Sequence, residues 1–267
     1  MTLRSELRKR LSLPIFCAPM LTVSGPELVR EACKAGIMAG FPRKNAGSLE
    51  NFDAWLRQIR DDLQAFKQRQ PDANIGPIAV NIVATTEPAE LEASLDVCVR
   101  HGVEFIVSAV GDPTELVKRV HARGLKVFHD VTSLRFAEKA IAAGVDGLIC
   151  IGAGGGGHSG TVSHLALIPS IRSIFDGVIV MAGAVSTGAA VRAAEILGAD
   201  LAYMGTRFIA THEADAEPAY KQMLVQERSA GLLYSPRLSG GPANRLIRSL
   251  RDNGVDPSGP PAPLGKG

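Results

Sequence analysis

The residues best equipped for chemistry lie together in Cys150-Ile-Gly-Ala-Gly-Gly-Gly-Gly-His158-Ser-Gly160, where six glycines occupy the nine positions 152–160. Glycine gives up more conformational freedom on folding than any other residue, and it suits a backbone that must bend sharply or lie flat against a ring or a phosphate. Within 152–160 the only ionisable side chain is His158, and imidazole is the side chain most often used as a general base. Gly152-x-Gly154-x-x-Gly157 has the literal form of a dinucleotide fingerprint. That fingerprint must open a helix directly and be followed by an acidic residue about 20 positions on, at the end of the next strand. Here His-Ser-Gly-Thr-Val-Ser intervenes before helical periodicity resumes near Leu165, and Asp176 precedes the next strand. The match reflects glycine density, and a Rossmann site is rejected.

Stepping outward, short apolar runs at Pro14–Ala18, Ile37–Phe41, Pro77–Val83, Glu104–Ser108, Leu125–His129, Asp146–Ile151, Gly177–Ala182 and Asp200–Met204 read as eight strands. Wholly apolar strands of this length suit a sheet buried on both faces. Helical stretches separate them, at Gly25–Gly36, Asp53–Gln68, Pro88–His101, Pro113–Arg123, Ser133–Ala143, Leu165–Phe175 and Thr187–Leu197, and Gly124, Gly144 and Gly198 close helices just before the next strand. Eight such units in about 200 residues predict an α/β fold, a (β/α)8 TIM barrel with a short helical C-terminal extension. The barrel is expected over residues 1–234 and the extension over 235–267, with a loop at Ser235–Pro242, a short basic helix at Ala243–Asp252 and a Pro/Gly-rich end from Pro257 that is expected to be disordered.

Composition removes other classes. The 267 residues are 46% hydrophobic, enough for a large core. Lysine and arginine number 29 against 27 aspartates and glutamates, which leaves no electrostatic footprint for nucleic acid. Cys17, Cys33, Cys98 and Cys150 form no C-x-x-C pair, and buried free thiols of a reducing compartment are the expectation. The charged N-terminus lacks a signal-peptide core and no run approaches 18 apolar residues, so the reading is a cytoplasmic protein without a membrane span.

In such a barrel the site lies at the C-terminal ends of the strands, and phosphate is often held after strands seven and eight. Those ends carry Ala18-Pro19-Met20, Asn81, His129-Asp130, the glycine loop with His158, Met181-Ala182-Gly183-Ala184 and Met204-Gly205-Thr206. Gly183 and Gly205-Thr206 offer backbone N–H groups that an anion can approach closely, a candidate phosphate cradle. Apart from Lys44, out in the loop after strand two, no lysine is present for a Schiff base. Neither metal-ligand spacing nor paired acids for glycoside cleavage occur there. What remains is a phosphate cradle, an apolar floor and one histidine, which points to an organic cofactor performing the redox step. His129 reads as a packed residue, Asp130 as either a helix cap or a cofactor contact, and Arg43, Lys44 and Arg207 as solvated or paired charges. A phosphate-binding isomerase or ligand-binding barrel without redox chemistry stays open.

Gly40-Phe41-Pro42 with Asn45, Val80-Asn81, Phe128-His129-Asp130-Val131, Gly155-Gly156-Gly157-His158-Ser159-Gly160 and Gly205-Thr206-Arg207-Phe208 form a set. Together they resemble the nitronate monooxygenase family, formerly 2-nitropropane dioxygenases, over roughly residues 12 to 228. The resemblance implies non-covalent FMN, with Ala18, Pro19, Met20 and Asn81 at the isoalloxazine, Gly183, Ala184, Gly205 and Thr206 at the phosphate, and Asp130 and Gly157 among the cofactor contacts. His158 would be the base that removes the proton α to a nitro group. An electron then passes from nitronate to flavin and oxygen completes the oxidation to carbonyl compound and nitrite. The same superfamily includes FMN-dependent NAD(P)H reductases of enoyl thioesters or quinones, the alternative activity. The expected partners are a small-molecule substrate and oxygen, with neither nucleic acid nor membrane, and a homodimer is left open. Two departures stand out: the family usually has paired glycines where this chain has Gly183-Ala184, and many members carry Glu-Ala where it has Gly154-Gly155.

Overall fold

The computed structural model describes residues 2–235 and 242–259. Eight parallel strands close into a barrel: β1 (Ile15–Cys17), β2 (Met38–Pro42), β3 (Ile78–Asn81), β4 (Phe105–Ser108), β5 (Lys126–Val131), β6 (Gly147–Ile151), β8 (Val178–Ala182) and β9 (Leu201–Met204), with β9 pairing back to β1. Between β6 and β8 the glycine loop contributes the two-residue strand β7 (Gly157–His158), which lies outside the barrel. The eight expected strands are therefore the barrel staves.

Side-chain alternation divides the interior in two, because successive strand residues point to opposite faces. Phe16, Met38, Ala79, Phe105, Val107, Phe128, Ile149, Val178, Val180 and Leu201 fill the lumen. Their neighbours Cys17, Ala39, Val80, Ile106, Val127, Leu148 and Ile179 pack outward against the helices. The barrel is a packed core and not a pore.

Helices α2 (Pro26–Lys34), α3 (Leu49–Arg69), α4 (Pro88–Arg100), α5 (Thr114–His121), α6 (Leu134–Ala142), α7 (His164–Arg172) and α8 (Gly188–Leu197) form the outer layer. The start of α3 is fixed by the Ser48 hydroxyl, which accepts from the Asn51 amide, and its inner stripe is Phe52, Leu56, Ile59 and Leu63. After α8, Gly198 takes φ of +106°, a left-handed turn that returns the chain to β9 at no Cβ penalty.

Two elements are not anticipated. The N-terminal segment is helix α1 (Leu3–Arg10), whose Leu3 and Leu7, with Leu11 just beyond it, join the lumen cluster and close the floor of the barrel. Arg10 grips Glu104 with two hydrogen bonds of 2.6 and 2.8 Å, and Arg4 bonds Asp200 at 2.8 Å, so both ends of the plug are tied down. At the other end of the chain, after α9 (Thr206–Ile209) and α10 (Pro218–Gln226), β10 (Leu232–Ser235) pairs antiparallel with β11 (Ala243–Leu246). The helix expected over Ala243–Asp252 is thus corrected: its first four residues are a strand, and only α11 (Ile247–Asp252) is helical. A four-residue strand is decided by a pairing partner, here Leu232–Ser235, which local propensity does not contain. The end expected to be disordered lies outside the described residues from position 260 onward. Among the described residues no helix is long and apolar enough to cross a membrane.

Candidate functional site

The C-terminal rim of the lumen is where polar side chains enter the barrel. Asn81 sits two residues past the lumen residue Ala79, and Asp130 two past Phe128, so both turn inward. The Asn81 side-chain amide donates to the Val107 carbonyl at 3.1 Å, which fixes its orientation on the neighbouring strand. Asp130 Oδ1 is buried without a hydrogen-bond partner among the described residues. Burial without compensation penalises the charged form, and it pushes the Asp130 carboxyl up to about 7. Tyr203 of β9 joins this layer, its ring packed edge-on against Phe16 with centroids 4.9 Å apart. Its phenol is held well above its ordinary range by burial first and by Asp130 second. Tyr203 was not singled out from the sequence, although strand alternation alone places it on the lumen face with Leu201.

His129 points the other way. It is buried outside the lumen with Nδ1 3.1 Å from the Ser108 hydroxyl, and burial lowers its pKa. The four cysteines are free and buried, and burial raises every thiol, Cys150 to about 12. None is poised as a nucleophile.

Above this layer three backbone segments converge. Gly154, Gly155 and Gly156 of the glycine loop lie against Gly183-Ala184 and Thr206, with little room for side chains. A Cβ on Gly156 would stand 2.7 Å from Thr206 Oγ1, and one on Gly183 would stand 3.0 Å from the Gly155 backbone. Gly183 also has φ of +113°, a conformation that favours glycine, and Ala184 follows at +57°. On the other side Met20 Sδ would be 3.3 Å from a Cβ at Gly205, and Ala18 is buried beside it. The sequence-predicted residues Ala18, Met20, Gly183, Ala184, Gly205 and Thr206 are therefore brought together with the loop that bears Gly157 and His158; Pro19 lies between Ala18 and Met20. The helix contributing Thr206, α9, has only four residues, so an anion here would depend on backbone amides rather than on a helix dipole.

The loop has an internal brace. Ser159 Oγ accepts from the Gly155 amide at 3.2 Å and lies 3.1 Å from the carbonyls of Gly152 and Gly160. His164 Nε2 donates to the Ala182 carbonyl at 2.8 Å, and its ring stands where a Cβ on Gly152 would be, 2.6 Å away. His164 is thus a structural histidine. His158 is exposed, and its ring makes no hydrogen bond among the described residues.

A model of the nitronate monooxygenase family matches residues 5–259. The chain is 28% identical over 254 residues to a Mycobacterium tuberculosis (3aS,4S,5R,7aS)-5-hydroxy-7a-methyl-1-oxo-octahydro-1H-indene-4-carboxyl-CoA dehydrogenase, covering 93% of this chain and 67% of that one. Another M. tuberculosis relative, 29% identical over 209 residues, is matched over only 54% of its length. Among solved structures, nitroalkane oxidase from Streptomyces ansochromogenes superposes with a TM-score of 0.73 at 26% identity, covering 93% of this chain and 81% of that one. FabK from Thermotoga maritima superposes with a TM-score of 0.72 at 26% identity, covering 94% and 78%. With the glycine-loop motif and the closed eight-stranded barrel both present and the family match running through both, the chain belongs to the nitronate monooxygenase family.

Proposed function

We propose that this protein is an FMN-dependent oxidoreductase that oxidises alkyl nitronates and nitroalkanes with oxygen, giving a carbonyl compound and nitrite. The observation that carries the reading is the convergence of side-chain-free backbone (Gly155, Gly156, Gly183, Gly205) above a rim where Asp130 is buried with one carboxyl oxygen lacking a partner among the described residues, the loop itself bearing the exposed His158. This donor set suits a planar ring tethered by phosphate. A Cβ at Gly156 or Gly183 would crowd the cradle, and the buried Asp130 oxygen lacks a partner among the described residues. Gly183, Ala184, Gly205 and Thr206 would hold the phosphate, and Ala18, Pro19, Met20, Asn81, Asp130 and Gly157 would face the ring system. When bound, FMN supplies the electron acceptor.

The chain's own residues supply the rest. His158 takes the proton α to the nitro group, and the C–H electron pair moves onto the nitro group to leave the nitronate anion. Asp130, whose carboxyl burial pushes up to about 7, keeps its proton below that pH and there adds no negative charge beside the anion. The apolar lumen below the rim, with Phe16 and Val107 among its side chains, would exclude water from the site.

Anaerobic mixing of the flavin-loaded protein with propyl-2-nitronate, and separately with NADPH, tests the reading. Bleaching by nitronate alone is expected. Bleaching by NADPH alone would make the protein a reductase of enoyl thioesters or quinones, and a colourless preparation that takes up no flavin would remove both redox readings.

A further inference from the structure

The glycine loop has almost no side chains with which to hold itself in place, so its position must be set from outside. Ser159 braces it from within. From without it is held by the C-terminal hairpin. Asn244 of β11 donates from Nδ2 to the Gly155 carbonyl at 2.7 Å, the Ser159 amide donates to the Pro242 carbonyl at 3.0 Å, and Gly156 and Asn244 form a β-bridge. These contacts flank His158 on both sides in sequence. The Asn244–Gly155 bond joins positions 89 residues apart. Arg245, next along β11, is directed away by strand alternation, and its charge is felt by Tyr220 of α10. The hairpin therefore meets the loop through the Asn244 side chain and the Pro242 backbone.

We infer that Asn244 is a positioning residue for His158: the hairpin β10–β11 clasps the glycine loop and thereby sets where the imidazole stands over the barrel mouth. The inference rests on the proposed use of His158 as base. It assigns to the C-terminal segment a part in proton abstraction, exerted through the glycine loop and outside the barrel itself, and read with FMN saturating. A shift of about 1 Å in a catalytic group costs on the order of a hundredfold in rate, so loss of one clasp is expected to register in the step that needs the base.

The test compares Asn244→Ala and Asn244→Asp with the parent protein on two substrates, neutral nitroethane and preformed propyl-2-nitronate, with His158→Ala as reference. Aspartate keeps the size of asparagine but sets a carboxylate, without a donor, against the Gly155 carbonyl. The expected result is a loss of roughly tenfold or more in kcat on the neutral nitroalkane, larger for aspartate than for alanine, with nitronate turnover changed less than twofold. His158→Ala should show the same split, more deeply. Equal loss on both substrates, or no loss on either, overturns the positioning role. A parent protein that turns over neither substrate refutes the proposed function instead, so the two failures are distinct. Amide hydrogen exchange on the parent protein provides a measurement independent of folding in the variants. Ser159 should be protected through its bond to Pro242, and exchange there at the rate of a free amide would overturn the clasp.

Discussion

Asp130 is a carboxylic acid placed where ionisation is costly, and that has a consequence measurable without any ligand. Its ordinary value is 3.8 and in the folded protein burial raises it to about 7. Between those values the native state keeps a proton that the unfolded chain has released. Stability from this group is therefore full below the unfolded value and is lost as pH rises through the window, at no more than about 1.4 kcal/mol per pH unit. Asn cannot ionise, so Asp130→Asn is expected to flatten the dependence of Tm on pH between 3.8 and about 7 relative to the parent. Parallel curves for the two proteins would show that Asp130 titrates as an ordinary carboxyl. Other acids contribute in the opposite sense at lower pH. Asp53, for example, is held at about 2, chiefly by its hydrogen bond from His101 and then by Arg57, and the comparison of variants cancels it.

At the scale of elements, α1 and the hairpin β10–β11 serve opposite ends of the barrel. The first seals the floor, and Leu7 is 3% exposed there among lumen side chains. Leu7→Ala should cost about 2–5 kcal/mol through lost burial and the cavity left behind. For a domain of this size that is a fall in Tm of about 5–15 °C. Because the floor is remote from the rim, kcat measured well below the new Tm is expected to stay within about twofold of the parent. A variant that keeps its Tm would mean that the floor collapses around the smaller side chain. One that folds stably but loses turnover would mean that plug and rim are coupled.

The molecule as a whole offers a cradle shaped by close backbone approach, and such an arrangement should be stabilised by the ligand it fits. Free FMN at a hundred times its dissociation constant would add about 2.7 kcal/mol if it binds the native state alone. Thermal denaturation with and without FMN reads this as a rise in Tm of about 5–10 °C. Inorganic phosphate at the same concentration should give a smaller shift, since it reaches only the cradle. No shift with FMN would remove the cofactor from the proposed function.

Most of the architecture was legible in the amino-acid order. The eight apolar runs marked all eight staves because a strand buried on both faces must be apolar throughout, and that pattern needs no knowledge of neighbours. The glycine loop and the motifs around Asn81, His129-Asp130 and Gly205-Thr206 likewise pointed to the family that the family model confirms. What the order of residues could not contain were the long-range decisions. Ala243–Leu246 becomes a strand only because Leu232–Ser235 lies beside it, and Asn244 meets Gly155 only after the chain has closed the barrel between them. His129 and Asp130 are adjacent in sequence, yet one packs outside the lumen and the other is stranded within it. Strand alternation separates such neighbours, but only barrel closure tells which face is inside, and with it which of the two is a buried acid that resists ionisation.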